Sequence, residues 1–171
     1  MKALTKLTRT KPVVHPPATS HGADHLPRQT KSSLRILVAE DHPVTGHLVT
    51  LMLEKMGHSV ILATTGLELL ACWEQGAFDL VLADINMPGI DGIEATRVIR
   101  EREKTKGHRV PIVAMTANVM KEDQERFQNA GMDGYLPKPV SMVQLRELIE
   151  SFLCRTLTDG DARPPQDTRE T

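Results

Sequence analysis

The sequence predicts an α/β fold: a doubly wound, five-stranded parallel sheet with five helices on its two faces, one domain with a flexible tail at each end. Three observations lead there. Five short apolar runs alternate with five stretches of helical periodicity along the chain. Most of those apolar runs close on an acid, a hydroxyl or an amine. A length of 171 residues with 40% hydrophobic and 25% charged side chains suits one packed domain and leaves no room for a second.

The elements follow in order. Residues 1–33 carry Lys2, Lys6, Arg9, Lys11, Arg28 and Lys31 against the single acid Asp24, with Pro12, Pro16, Pro17 and Pro27, and so read as a disordered basic linker. His15, His21 and His25 fit no common metal-ligand spacing and read as solvated linker histidines. The domain is expected over residues 34–154. Its first strand covers residues 34–39 and ends at Glu40 and Asp41. His42 and Pro43 open a helix, with proline at a first-turn position where its missing N–H costs nothing. Val44, Leu48, Leu51, Met52 and Met56 supply the helical spacing and Gly57 the stop, while Gly46 weakens the helix by about 1 kcal/mol relative to alanine.

Residues 59–63 form the second strand, and Thr65 with Glu68 makes a capping-box signal for a helix over residues 66–75. The third strand ends at Asp84. After it, Asp91 and Glu94 mark a helix start, and the charged run 100–106 reads as the solvated end of that helix before Gly107. Residues 111–115 are the fourth strand, with Thr116 just beyond. The helix that follows, about residues 119–130, has a thin apolar stripe and is expected to be weakly anchored. Residues 134–137 are a short fifth strand, in which Tyr135 reads as a half-buried aromatic. Ser141 and Gln144 then cap a final helix bearing Met142, Leu145, Leu148, Ile149 and Phe152 on one face. Residues 155–171 read as a disordered tail.

Composition excludes several function classes. A formal net charge of -1 argues against a domain built to bind nucleic acid or a membrane surface. No apolar run reaches spanning length, and Cys72 and Cys154 show no redox or metal spacing, so a soluble, cytoplasmic setting is expected.

In a parallel sheet all carboxyl ends of the strands share one edge, where open α/β folds place ligands. Glu40, Asp41, Asp84, Thr116 and Lys138 therefore converge although distant in sequence. Two carboxylates about 5 Å apart repel by roughly 3 kcal/mol at an effective dielectric near 20. Either Lys138 or a hard divalent cation such as Mg²⁺ must offset them. Taken singly, the acids read as turn or cap formers, Thr116 as a cap and Lys138 as a surface lysine; one phosphoryl site accounts for all of them together.

These residues resemble a known family. Leu37-Val38-Ala39-Glu40-Asp41, Asp84-Ile85-Asn86-Met87-Pro88 with Asp91-Gly92, Met115-Thr116-Ala117, and Tyr135-Leu136-Pro137-Lys138-Pro139 are similar to the signature blocks of response-regulator receiver domains in two-component systems, most of all those of hybrid sensor histidine kinases. The resemblance spans roughly residues 34–153. It implies that Asp84 accepts a phosphoryl group from a phosphohistidine. It also implies that Glu40, Asp41, Asp84 and the backbone carbonyl of Asn86 form a Mg²⁺ site, and that Thr116, Ala117 and Lys138 receive the phosphate. Thr116 and Tyr135 would act as the switch pair, and the Lys138–Pro139 peptide would be cis. The implied partners are a sensor histidine kinase or a histidine phosphotransfer protein, with no turnover activity and no kinase domain in this chain. His42 stands where Asn is frequent in the family and Ala83 where Met is common. Asn86 and Asn118 are expected near the phosphoryl position, where they influence the hydrolysis rate.

Three other functions compete. An Asp-nucleophile phosphatase of the haloacid-dehalogenase type needs an acid where Asn86 stands. A flavin binder would not place Glu40-Asp41-His42-Pro43 against a phosphate. A receiver-shaped interaction module that is never phosphorylated would have no use for the complete set of acids, threonine and lysine.

Overall fold

The structure, a computed structural model, describes residues 13–14, 33–117 and 120–158. The linker histidines, Asn118, Val119 and residues 159–171 lie outside the described residues. The expected alternation is present: β2 (Arg35–Ala39), α1 (Pro43–Lys55), β3 (Ser59–Ala63), α2 (Gly66–Gln75), β4 (Leu80–Asp84), α3 (Gly92–Lys106), β5 (Ile112–Thr116), α4 (Lys121–Ala130), β6 (Gly134–Pro137) and α5 (Met142–Thr158). The helix α5 runs past residue 154, four residues into the stretch expected to be a tail.

Five strands pair in parallel, and a sixth joins them: β1 (Val13–Val14), within the expected linker, lies antiparallel to β6. The order is β1-β6-β5-β4-β2-β3, so the chain steps outward from β2 to β3 and then returns across β2 to β4. That reversal puts the topological switch point between the carboxyl ends of β2 and β4, where a crevice must open.

Period-two alternation sorts the strand residues between two cores. Leu37, Val81, Ala83, Ile112, Ala114 and Tyr135 face α2, α3 and α4. Ile36, Val38, Leu80, Leu82, Met115 and Leu136 face α1 and α5. Anchorage of the helices differs. The α5 helix buries Leu145, Leu148, Ile149 and Phe152, whereas α4 buries only Phe127 and Ala130. At roughly 1.5–3 kcal/mol for each large apolar side chain buried, α4 is the loosest helix of the fold, as its thin stripe predicts.

The helix starts are built as expected. The Asp91 carboxylate accepts the Glu94 N–H at 2.7 Å. Ser141 and Gln144 form a reciprocal box, Ser141 Oγ accepting the Gln144 N–H and Gln144 Oε1 accepting the Ser141 N–H. Thr65 accepts the Glu68 N–H, but the Glu68 carboxylate reaches Thr64 instead of closing on Thr65.

The helical spacing of α1 is present, with Val44, Leu48 and Leu51 on its exposed side and Val49 and Leu53 packing inward. A further reading is corrected. The run 100–106 is not simply a solvated helix end. Glu103 is buried, and Arg100 binds the Glu103 and Asp133 carboxylates together with the Gly131 and Val110 carbonyls. Gly46 is also accounted for: a Cβ there would stand 3.1 Å from the Leu62 side chain and 3.5 Å from Glu40 Cβ, so the glycine lets α1 lie close on β3.

Candidate functional site

Each residue of the crevice is delivered by a strand end. Glu40 continues the register of Ile36 and Val38, Asp84 that of Leu80 and Leu82, and Lys138 follows Leu136 by two, so all three lean to the α1 and α5 side. Thr116 follows Ile112 and Ala114 onto the opposite face, which it shares with Tyr135. The Lys138 N–H donates to the Thr116 carbonyl at 2.7 Å, tying the end of β6 to the end of β5. The Lys138–Pro139 peptide is cis, as expected.

The centre is a charge cluster. Lys138 Nζ lies 2.7 Å from Asp84 Oδ2 and 2.7 Å from Glu40 Oε2. Asp84 Oδ1 accepts the Asn86 N–H at 3.1 Å, which fixes the carboxylate from its other side. Carboxylate oxygens of Glu40, Asp41 and Asp84 all lie within 4.8 Å of one another; Glu40 and Asp84 are buried and Asp41 is exposed. Burial pushes the Glu40 carboxyl above its ordinary value, with the Asp84 charge adding to the rise and Lys138 opposing it. Burial also pulls on the Lys138 ammonium, but its hydrogen bonds to Asp84 and Glu40 outweigh that and hold it above the ordinary lysine value. One lysine therefore pairs with two of the three acids, and Asp41 stands beside them without an ion pair among the described residues.

That arrangement fits a hard divalent cation. The donors are all oxygen, and the three carboxylates carry more negative charge than Lys138 alone offsets. Gly92 is part of the construction, because a Cβ there would fall 2.2 Å from the Asp84 carbonyl oxygen. Its absence allows α3 to start directly against the end of β4.

Glu40, Asp41, Asp84, Asn86, Thr116, Ala117 and Lys138 gather at this edge, while Tyr135 sits within β6 and Asn118 lies outside the described residues. Ala117 is exposed next to the buried Thr116, and His42 caps α1, its Nδ1 accepting the Thr45 N–H at 3.4 Å. Tyr135 is buried, not half-buried, with its ring among the side chains under α4; burial raises its hydroxyl pKa.

One feature was missed in the sequence. A cleft of about 720 Å³ opens beside the acids, lined by Asp41, Asn86, Met87, Thr116, Arg126 and Phe127 among others. Arg126 reaches it from α4, with its guanidinium 3.4 Å from Asp123. The signal available was the helical spacing of Asp123, Arg126 and Phe127, which places all three near one face of α4.

Comparison with known proteins agrees with this geometry. Residues 36–150 match the family described as Response regulator receiver domain. Sensor protein GacS of Pseudomonas syringae pv. syringae is 39% identical over 128 residues, covering 74% of this chain and 14% of GacS. The receiver domain of sensor histidine kinase PA1611 from Pseudomonas aeruginosa, solved with a magnesium ion coordinated in its active site cleft, superposes with a TM-score of 0.65 at 35% identity. That match covers 71% of this chain and 98% of the PA1611 domain. The receiver domain of Ssk1 from Saccharomyces cerevisiae, crystallised with the histidine phosphotransfer protein Ypd1, gives a TM-score of 0.71 at 31% identity, covering 76% of this chain and 96% of that one. The chain spans between 8% and 18% of the length of the curated relatives it matches. With a family match over most of its length and the acids, threonine and lysine gathered at one sheet edge, the chain belongs to the response regulator receiver domain family.

Proposed function

We propose that this receiver domain takes a phosphoryl group onto Asp84 from the phosphohistidine of a sensor histidine kinase or a histidine phosphotransfer protein, as one step of a phosphorelay. The observation that carries the reading is the buried Asp84 carboxylate held between the Asn86 N–H and Lys138 Nζ, next to two further acids. In the transfer an Asp84 oxygen forms a bond to phosphorus as the P–N bond breaks, and the electron pair of that bond returns to the donor imidazole. Little covalent work falls to the protein, so positioning and charge neutralisation supply the catalysis.

Asn86 and Lys138 orient the carboxylate before transfer. Lys138 then follows a phosphoryl oxygen, the Thr116 hydroxyl takes another, and the small side chain of Ala117 leaves the approach open. Glu40, Asp41, Asp84 and the Asn86 carbonyl would hold Mg²⁺, which supplies the positive charge that three acids and an incoming phosphoryl group require. Thr116 and Tyr135 share one sheet face with the lightly anchored α4, so a shift at Thr116 is passed to the surface of α4, β6 and α5. The exposed row of Val44, Leu48 and Leu51 on α1, which begins two residues beyond Asp41, offers a phosphodonor protein an apolar landing surface.

On this reading the chain is a cytoplasmic signalling module without turnover. Among the described residues no helix is long and apolar enough to cross a membrane. Incubation with acetyl phosphate and Mg²⁺ followed by intact mass measurement tests it. A hydroxylamine-labile phosphate adduct is expected on the wild type and none on Asp84→Asn. An adduct that persists undiminished in Asp84→Asn overturns the assignment.

A further inference from the structure

The outer edge of β6 does not end the sheet. Val13 pairs with Tyr135 and Val14 with Gly134 in antiparallel register. An edge strand presents a row of N–H and C=O groups that will accept another strand, through main-chain bonds that depend little on sequence. Both faces of β6 are buried, Tyr135 in one core and Leu136 in the other, so the edge is the side from which β6 can still be reached. The polarity of β1 suits pairing within one chain. Antiparallel to β6, it runs toward the edge where β2 begins and so delivers the chain in the direction it must travel. Four strand spacings separate β1 from β2, about 19 Å. The twenty residues between Val14 and Arg35 can extend about 66 Å, more than three times that span.

The same strand is tied to the acid pocket at its other end. Lys138 directly follows β6, bonds to the Thr116 carbonyl through its N–H, and reaches Asp84 through Nζ. We propose that Val13–Val14 is a built-in edge strand whose docking on β6 is coupled to the state of Asp84: docked when Asp84 is unmodified, released when a phosphoryl group draws Lys138 away. The coupling rests on the reading of Asp84 given above; the strand itself does not. Coupling of this kind is reciprocal, so whatever factor phosphorylation takes from docking, release of the strand returns to phosphorylation. The segment ahead of the domain would then be both a sensor of the pocket and a brake on it, and would keep a second copy of the chain from pairing at the same edge.

The test uses the whole chain, its Val13→Pro/Val14→Pro variant, and Val13→Thr/Val14→Thr as a control that keeps strand propensity. Proline removes the N–H groups that a ladder needs and changes no residue of β6. Amide hydrogen exchange at residues 134–136 should be faster in the proline variant and unchanged in the threonine variant; unchanged exchange in the proline variant overturns the strand. Beryllofluoride with Mg²⁺ should speed the same amides in the wild type and bind the proline variant at least about fivefold more tightly. Equal affinity for wild type and proline variant overturns the coupling. Failure of beryllofluoride to bind the wild type at all overturns the Asp84 reading and the coupling with it, while the exchange arm still judges the strand. Protection that vanishes on dilution assigns the strand to a second copy and overturns pairing within the chain.

Discussion

The two edges of the sheet both bury charge, and they do so in opposite ways. At the amino-terminal edge two arginines face two acids. Arg100 and Arg109 hold the two oxygens of Asp133, Asp133 Oδ2 also accepts the Ile112 N–H, and Glu103 takes Arg100 on one oxygen and the Val110 N–H on the other. Every carboxylate oxygen there has a partner, and the cluster clamps the end of α3 to the loops entering β5 and β6. At the carboxyl edge three acids crowd within 4.8 Å of one another, and one lysine reaches two of them, Glu40 and Asp84. The first cluster is complete and serves the fold. The second is short of positive charge, and a bound cation would make up the deficit. Satisfied and unsatisfied buried charge therefore separate anchorage from chemistry.

Neutralising one acid at each edge should break the symmetry between them. Asp133→Asn removes the charge that pairs with sheltered Arg100 and with exposed Arg109, and is expected to cost about 2 kcal/mol, most of it from Arg100. Asp84→Asn should go the other way and raise the stability of the metal-free protein by about 1 kcal/mol, since the relieved repulsion exceeds the weakened contact with Lys138. Urea unfolding of the two variants without Mg²⁺ checks both signs; a loss of similar size in both would remove the distinction between the edges.

Gly92→Ala sharpens the comparison at the carboxyl edge alone. Its Cβ would sit 2.2 Å from the Asp84 carbonyl oxygen, so α3 or the end of β4 must move. A destabilisation of about 2 kcal/mol is expected, typical of overpacking. Phosphorylation by acetyl phosphate should slow as well, because the displaced atom belongs to the backbone of Asp84, the proposed phosphoacceptor. Thermal melts and adduct formation followed over time measure the two effects separately.

The smallest effect is expected where the amino edge meets α1. The His58 imidazole accepts the Leu34 N–H through Nδ1 at 3.3 Å, and burial holds its pKa below the ordinary value of 6.5. The folded state therefore resists the proton that the unfolded chain takes up first. Stability is lost as pH falls below 6.5 toward the lower folded-state value, and no change from this group is expected above 6.5. Urea midpoints between about pH 7.5 and 5.5 should slope in the wild type and flatten in His58→Gln.

The carboxyl edge was legible in the sequence and the amino edge was not, for a physical reason. Glu40, Asp84 and Lys138 each stand at the end of an apolar run, and parallel strands bring their ends together whatever the details of packing. Arg100 and Glu103 stand in a charged helical run, where the expectation of solvation is sound until a loop covers them. Their partners, Asp133 and the carbonyls of Val110 and Gly131, come from segments whose placement depends on the finished fold. The buried face of α1 was not legible for a related reason: Val44, Leu48 and Leu51 have helical spacing, but spacing shows that a helix forms and not which face it buries.

By itself the sequence determined the alternation of elements, their caps, the parallel sheet and the residues at its chemical edge, because these follow from periodicity and from short-range hydrogen bonding. The tertiary structure decided the rest. It chose the buried face of α1, closed the Arg100 cluster, opened the cleft that Arg126 lines and laid Val13–Val14 along β6. Each of these depends on contacts between residues far apart in the chain, whose energies exist only once the backbone has brought them together.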